Sequence, residues 1–256
     1  MKVTVLGCGP SPGVPYIGND WGDCDPDEPR NRRRRASILV QDQGATVLVD
    51  ASPDMRVQLL DAGVSKLDAI LFTHAHADHC HGIDEVRAVN RATGKSLAIY
   101  AAAHTMAELR ERFPYIFRPQ DPAAGAFFYK PSVVPHEIDG GFEVAGIPAT
   151  CFIQEHGFTR SLGFRFGRFG YSTDVVRLDE AGFAALAGIE TWIVDCYRRD
   201  PHPTHSHLAQ TLAWIERVKP RRAFLTHMDR QLDYATLKRE LPPGVEPAYD
   251  GLVIEV

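Results

Sequence analysis

The sequence predicts an α/β fold in which two packed sheets carry helices on their outer faces. Three observations lead there. Short apolar, β-branched runs bounded by turn residues recur along the chain; the early ones follow one another closely enough to pair as hairpins; the later ones alternate with helical stretches. One doubly wound parallel sheet would not give that mixture. The strand runs are, in order, KVTVLG, ASILVQ, ATVLVD, LDAILF, SLAIYA, IPATCFI, SLGFRF, TWIVDC, RAFLTH and GLVIEV. After the first of them, GCGPSPGVP invites a test as a phosphate loop. Pro10, Pro12 and Pro15 prevent a helix from starting where such a loop needs one, so a rigid turn is expected. SPDMRVQLLDAG predicts a helix with Ser52 as N-cap, Pro53 in the first turn and Gly63 as the stop. IDEVRAVNRATG is a second helical stretch, and HSHLAQTLAWIERVKP a third that ends before Pro220.

With 256 residues, 44% of them hydrophobic, the chain can bury a sizeable core, and a disordered chain is excluded. No fixed-period repeat or low-complexity linker divides it, so residues 1–256 read as one domain. The formal charge of -5 gives no general attraction for phosphate polymers, and stable nucleic-acid binding is not expected. No apolar stretch approaches the roughly 20 residues that span a bilayer, and MKVTVLGCG carries no cleavage signature; the expectation is a cytoplasmic protein away from membranes. Cys8, Cys24, Cys80, Cys151 and Cys196 form no CxxC, so reduced thiols are expected. Two long stretches, Pro10 to Arg35 and Phe113 to Pro135, are rich in turn residues, and the second also in aromatics; loops of that length are often functional.

The chemistry concentrates in LDAILFTHAHADHCHG, from Leu67 to Gly82. His74 and His76, two apart in an extended stretch, point to the same side and can share one metal ion. Asp78 and His79 sit where the chain turns toward a helix, so they aim elsewhere, and a second ion is the natural reason. Imidazole and carboxylate suit zinc, manganese or iron. The remaining ligands are expected from His156, Asp174 and His227, each at the carboxyl edge of a strand-like run. A carboxylate such as Asp174 can bridge two ions with its two oxygens.

HAHADH, with the distant His, Asp and His, resembles the signature of the metallo-β-lactamase-fold hydrolases, and the likeness covers nearly the whole chain. It implies an αββα four-layer sandwich with two divalent metal ions at one edge. By resemblance, His74, His76 and His156 hold the first ion, Asp78, His79 and His227 the second, and Asp174 bridges. Asp50 looks like the family's early aspartate that supports the histidine loop. The fold alone does not fix a substrate, because it hosts lactam, thioester, lactone and phosphodiester hydrolysis.

PTHSHLAQTLAWIERVKPRRAFLTHMD narrows the choice. It resembles the phosphodiesterase branch, which includes the tRNA 3-prime processing endonuclease and the phosphoribosyl cyclic phosphate phosphodiesterase. In that branch a histidine at the position of His205 serves the scissile phosphate. The expected reaction is cleavage of a small phosphodiester, a cyclic ribose phosphate or nucleotide, by a metal-bridging hydroxide, with His205 as acid for the leaving oxygen. His207 is the fallback, Asp195 either orients His205 or serves as a structural partner, and Asp78 belongs to the catalytic set. GPSPGVP, RNRRRRAS, IVDC and AYDGLVIEV favour the cyclic phosphodiesterase over the endonuclease. Arg32 to Arg35 read either as a solvated run or as the wall of a phosphate pocket. Phe113, Tyr115, Phe117, Phe127, Phe128 and Tyr129 either stack on a substrate or, for most of them, join the core. The cyclic phosphodiesterase also holds a structural zinc on a cysteine group and a later histidine. Here Cys24 stands alone and Arg230 replaces the histidine, so that zinc is not expected. The rivals are a thioester or lactone hydrolase, the tRNA-processing endonuclease, and a metal-dependent carrier without turnover. A homodimer is expected by family likeness.

Overall fold

The computed structural model describes residues 1–118 and 130–256. Strands are numbered along the chain. The first sheet contains β1 (Lys2–Gly7), β2 (Ser37–Asp42), β3 (Ala45–Val49), β4 (Ala69–Leu71), β5 (Leu97–Ala101), β6 (Val133–Glu137) and β14 (Val253–Glu255), in the order β14-β1-β2-β3-β4-β5-β6. The second contains β7 (Gly141–Val144), β8 (Ile147–His156), β9 (Thr159–Phe166), β10 (Phe169–Ser172), β11 (Thr191–Asp195), β12 (Arg222–Thr226) and β13 (Val245–Pro247), in the order β13-β12-β11-β10-β9-β8-β7. Helices α1 (Met55–Asp61), α2 (Ala77–Cys80), α3 (Val86–Thr93), α4 (Ala103–Arg112), α5 (Glu180–Ala185), α6 (Leu208–Val218) and α7 (Tyr234–Glu240) connect them.

Alternation along the strands explains the layers. Ile38, Val40, Val47 and Val49 face the second sheet and pack with Phe164, Phe166, Tyr171 and Ile193 in one buried cluster. Leu39, Leu48 and Ile70 point the other way, onto Met55 and Leu59 of α1, Val86 of α3 and Met106 and Leu109 of α4. Because the strands are covered on both faces, their sequences are continuous apolar runs rather than alternating ones. On the far side of the second sheet, Trp214 and Ile215 of α6 and Leu237 of α7 join the inter-sheet cluster. This is the metallo-β-lactamase sandwich of helices, sheet, sheet and helices that the sequence predicts.

Hairpin pairing occurs in both sheets, not only at the start of the chain. β1, β2 and β3 pair antiparallel and β3 to β6 parallel; β7 to β10 then repeat the antiparallel run before β11 to β13 continue parallel. The strands absent from the predicted set are short: β6, β7 and β13 lie at sheet edges, and β10 is a four-residue strand, FGYS. Edge strands are half solvated and need no apolar run. The start of α1 also differs from expectation: Asp54, not Ser52, is the N-cap residue. Ser52 Oγ accepts from the Asp54 N–H at 3.1 Å, which makes the Ser52–Pro53–Asp54 segment a turn in front of the helix. Gly63, at φ 65°, follows the helix as predicted, and α6 ends with Lys219 in the left-handed region before Pro220. All five cysteines are buried and unpaired. Among the described residues no helix is long and apolar enough to cross a membrane.

Asp250 ties the C-terminal turn to the opening loop. Its carboxylate accepts from the Cys8 N–H at 3.1 Å and the Arg34 N–H at 2.8 Å. Burial pushes its carboxyl up to about 7, against the pull of those backbone donors. A pKa higher in the folded than in the unfolded chain gives stability that is full below the ordinary carboxylate range and is lost as the pH rises through about 7. Asn at this position does not titrate. Wild type should therefore lose urea stability relative to Asp250→Asn between about pH 5 and about pH 8, and parallel profiles would show that the carboxyl does not titrate there.

Candidate metal centre

The predicted site residues converge on one edge of the sandwich. His156 ends β8, Asp195 ends β11, and Asp174 and His227 follow β10 and β12 by one or two residues. β8, β10, β11 and β12 run in the same direction, so their carboxyl ends share an edge, where open α/β sheets place ligands. From the first sheet, Asp50 follows β3, and the chain after β4 carries His74 and His76 before α2 opens with Ala77, Asp78 and His79. Asp50, Asp174 and His227 take left-handed φ values of 66°, 53° and 57°. Such backbone is uncommon for residues other than glycine and concentrates at functional sites.

Two four-residue groups of donor atoms result, beside a third made of Asp195, His205 and His227. His74, His76, His156 and Asp174 form one; Asp78, His79, Asp174 and His227 form the other, and within each group the donor atoms lie within 4.8 Å of one another. Asp174 belongs to both, and its oxygens are divided. Oδ1 lies 3.8 Å from His74 Nε2 and 3.5 Å from His156 Nε2, whereas Oδ2 lies 3.0 Å from His79 Nε2 and 3.4 Å from His227 Nε2. Asp78 Oδ2 completes the second group at 3.3 Å from His79 Nε2 and 3.6 Å from His227 Nε2.

The far sides of three of the imidazoles are held. His79 Nδ1 meets Asp50 Oδ2 at 2.7 Å, His74 Nδ1 meets Thr73 Oγ1 at 2.9 Å, and His156 Nδ1 meets the Thr204 carbonyl at 2.7 Å. Asp50 in turn accepts from the Thr73 N–H and hydroxyl. Partners of this kind fix ring orientation and tautomer around metals. The near sides face the carboxylates of Asp174 and Asp78, and there Nε2 of His74, His79 and His227 is buried without a hydrogen-bond partner. Unpaired buried nitrogens are costly, and a cation among them removes that cost. The electrostatics agree. Burial disfavours a charge on His79, yet Asp174, Asp78 and Asp50 outweigh it and hold the imidazole well above its ordinary range. Burial likewise opposes ionisation of Asp174, but His227, His79 and His74 hold it well below the carboxylate range. The residues fit a pair of divalent cations with nitrogen and oxygen ligands.

His205 stands beside both groups. Its ring stacks on His227 at 4.7 Å and on Tyr197 at 4.9 Å, and its Nδ1 lies 3.6 Å from Asp195 Oδ1. Asp195 also accepts from the N–H of Asp174 and from the N–H and hydroxyl of Ser206, so it braces the neighbourhood as well as facing His205. A cavity of about 420 Å³ opens over the cluster, lined by Ser11, His76, Asp78, His156, Phe158, Thr159 and His205 among others. His207 is the N-cap residue of α6 and does not line it.

The arginine run does not reach this cavity either. Arg34 pairs with Asp61 at 2.7 Å and Arg35 with Asp54 at 3.1 Å, Arg32 lies over the Trp21 ring, and Arg33 is buried. Phe113 and Phe117 pack on the helix-side core, Tyr115 bonds Asp84, and Phe127, Phe128 and Tyr129 fall outside the described residues. Nothing in the sequence singles out Thr73, Thr204 or Phe158, though Thr73 directly precedes His74 and Phe158 closely follows His156.

A two-sheet sandwich with a divided His/Asp cluster at one edge is the arrangement of a fold family of metal-dependent hydrolases. The chain belongs to the β-lactamase superfamily: the family model described as the beta-lactamase superfamily domain matches residues 45–228. Over its whole length it is similar to a crystal structure described as a new diphosphatase from the PhnP family, with 36% identity, a TM-score of 0.90 and 97% of that chain covered. It shares its fold with zinc-bound PqqB from Methylobacterium extorquens, at 19% identity over 100% of both chains with a TM-score of 0.77. It also shares it with the short form of human tRNase Z, at 17% identity and a TM-score of 0.68, covering 100% of this chain and 99% of that one. An octanoyltransferase from Porphyromonas gingivalis is 31% identical over 98% of this chain, which spans about half (51%) of that protein's length.

Proposed function

We propose that the protein is a two-metal hydrolase of small phosphodiesters, cyclic ribose phosphates or nucleotides among them. The observation that carries this reading is the division of the Asp174 oxygens between the two donor groups, with His205 beside both. His74, His76 and His156 would hold one ion, Asp78, His79 and His227 the other, and Asp174 both. When bound, such ions supply Lewis acidity toward phosphoryl oxygens and lower the pKa of a water molecule. The rest falls to the chain. His205 Nδ1 is buried beside Asp195, which leaves Nε2 to hold a proton for the departing oxygen. The stack of Tyr197, His205 and His227 fixes the plane of that ring.

Metal-loaded protein should hydrolyse bis(p-nitrophenyl) phosphate and 2′,3′-cyclic nucleotides. His205→Ala should slow both by about 10²-fold or more, while any thioester or lactone turnover changes little. Silence with both phosphodiesters beside rapid thioester or lactone turnover would overturn the reading. A second reading follows from the 36% identical diphosphatase: cleavage of a phosphoanhydride, which needs the same attack at phosphorus. Nucleoside diphosphate esters belong in the same assay, and exclusive turnover of those would select it. The acyl-transfer name belongs to a protein about twice as long, so the thioester arm of the assay decides whether it bears on this chain.

A further inference from the structure

The turn between β8 and β9 carries a residue that neither the fold nor the donor groups use. His156 pairs with Thr159, leaving Gly157 and Phe158 as a two-residue hairpin turn. Gly157 has φ 66°, which such a turn requires of its first residue. A Cβ there would sit 2.5 Å from Thr204 Cγ2 and 3.2 Å from the Pro203 carbonyl oxygen, so the turn is seated on the loop that leads to His205. The second turn position ordinarily takes a small polar residue. Here it is Phe158, 101% exposed, lining the mouth of the cavity beside His156 and Thr159.

An aromatic ring held by a seated turn, in solvent, at the entrance to a cavity walled by imidazoles, carboxylates and hydroxyls has a clear chemical complement. The polar wall receives a phosphate, and the ring receives a flat apolar group attached to it. We propose that Phe158 stacks on the nucleobase of the substrate, so that the phosphoester is a nucleotide rather than a bare sugar phosphate. This rests on the phosphoester reading above. Stacking of a base on one aromatic side chain is tolerant of base identity and changes affinity by about 5- to 150-fold.

Titrating metal-loaded protein with AMP and with ribose 5-phosphate tests it without any bond being cleaved. Wild type should bind AMP about 10-fold or more tightly than ribose 5-phosphate. Phe158→Ala should bring AMP down to the affinity of ribose 5-phosphate and leave the latter unchanged, and Phe158→Trp should restore the preference. Equal binding of the two by wild type, no binding of either, or equal weakening of both by Phe158→Ala overturns the proposal. So does an unchanged AMP preference in Phe158→Ala, including the case in which that variant changes oligomeric state and the ring belongs to a contact between two copies. An AMP preference of wild type that Phe158→Ala abolishes, without turnover of any phosphodiester, would instead sink the hydrolytic reading alone.

Discussion

Asp174→Ala is expected to bind at most one metal equivalent and to hydrolyse phosphodiesters about 10³-fold more slowly, or worse. The reason lies in its position. Every other proposed ligand serves only one of the two four-residue groups, whereas Asp174 faces His74 and His156 with one oxygen and His79 and His227 with the other. Its backbone is committed to that pose by φ 53° and by its N–H, which donates to Asp195 at 3.0 Å. Removing it leaves the Nε2 atoms of the buried imidazoles facing one another without the anion between them, and like charges there repel a second cation. Asp174→Asn keeps the shape but loses the charge and one acceptor oxygen, so it should fall between wild type and the alanine variant. His76→Ala is the control: it touches one group only and should retain one equivalent. Elemental analysis of gel-filtered protein reads the stoichiometry independently of activity. Two equivalents in Asp174→Ala, with near wild-type hydrolysis, would remove the basis of the proposed mechanism.

Legibility in the sequence followed burial. β2 and β3 are readable because both of their faces are covered, which makes SILV and TVLV uninterrupted apolar runs. β6, VVPHE, is not, because it is an edge strand in which Val134 is exposed and Pro135 stands in the middle. The donor groups were readable for a related reason. HAHADH gathers four of the candidates within six residues, and His156, Asp174 and His227 each follow an apolar run, so the sheet edge brings them together once the strands pair. What local sequence does not carry is which atom faces which. The split of the Asp174 oxygens depends on the mutual placement of β4, β8, β10 and β12, which come from two different sheets. Phe158 reads as an ordinary hairpin residue until the cavity beside it is seen.

The arginine run shows the same limit at its largest cost, and it leads to the second large effect: Arg33→Met should unfold more easily than wild type by about 3 kcal/mol or more, from buried acceptors left without donors. Four successive arginines read as one charged stretch, yet Arg33 is 2% exposed and its three carbonyl partners lie almost 200 residues away. Nη1 donates to the carbonyls of Met228 at 3.4 Å and Asp229 at 3.0 Å, and Nη2 to that of Leu232 at 2.5 Å and to Asn31 Oδ1 at 3.2 Å. The three carbonyls belong to the segment directly after His227, so one guanidinium fastens the opening loop to the end of the metal edge. Cys24 Sγ lies 3.9 Å from Nη1, and Cys24 belongs to neither donor group. Where the resembling phosphodiesterase joins these two segments through a structural metal, this chain has a buried side-chain cation in contact with Cys24. Methionine fills much of the volume but leaves the carbonyls without donors, each at about 1–3 kcal/mol if water cannot reach it. Lysine restores the charge without the planar fork, so Arg33→Lys should recover only part of the loss. Urea unfolding of metal-free protein isolates the effect from the proposed ions, because the brace needs none of them. Midpoints for Arg33→Met that match wild type would mean that the loop and the His227 segment are held together by something other than this guanidinium.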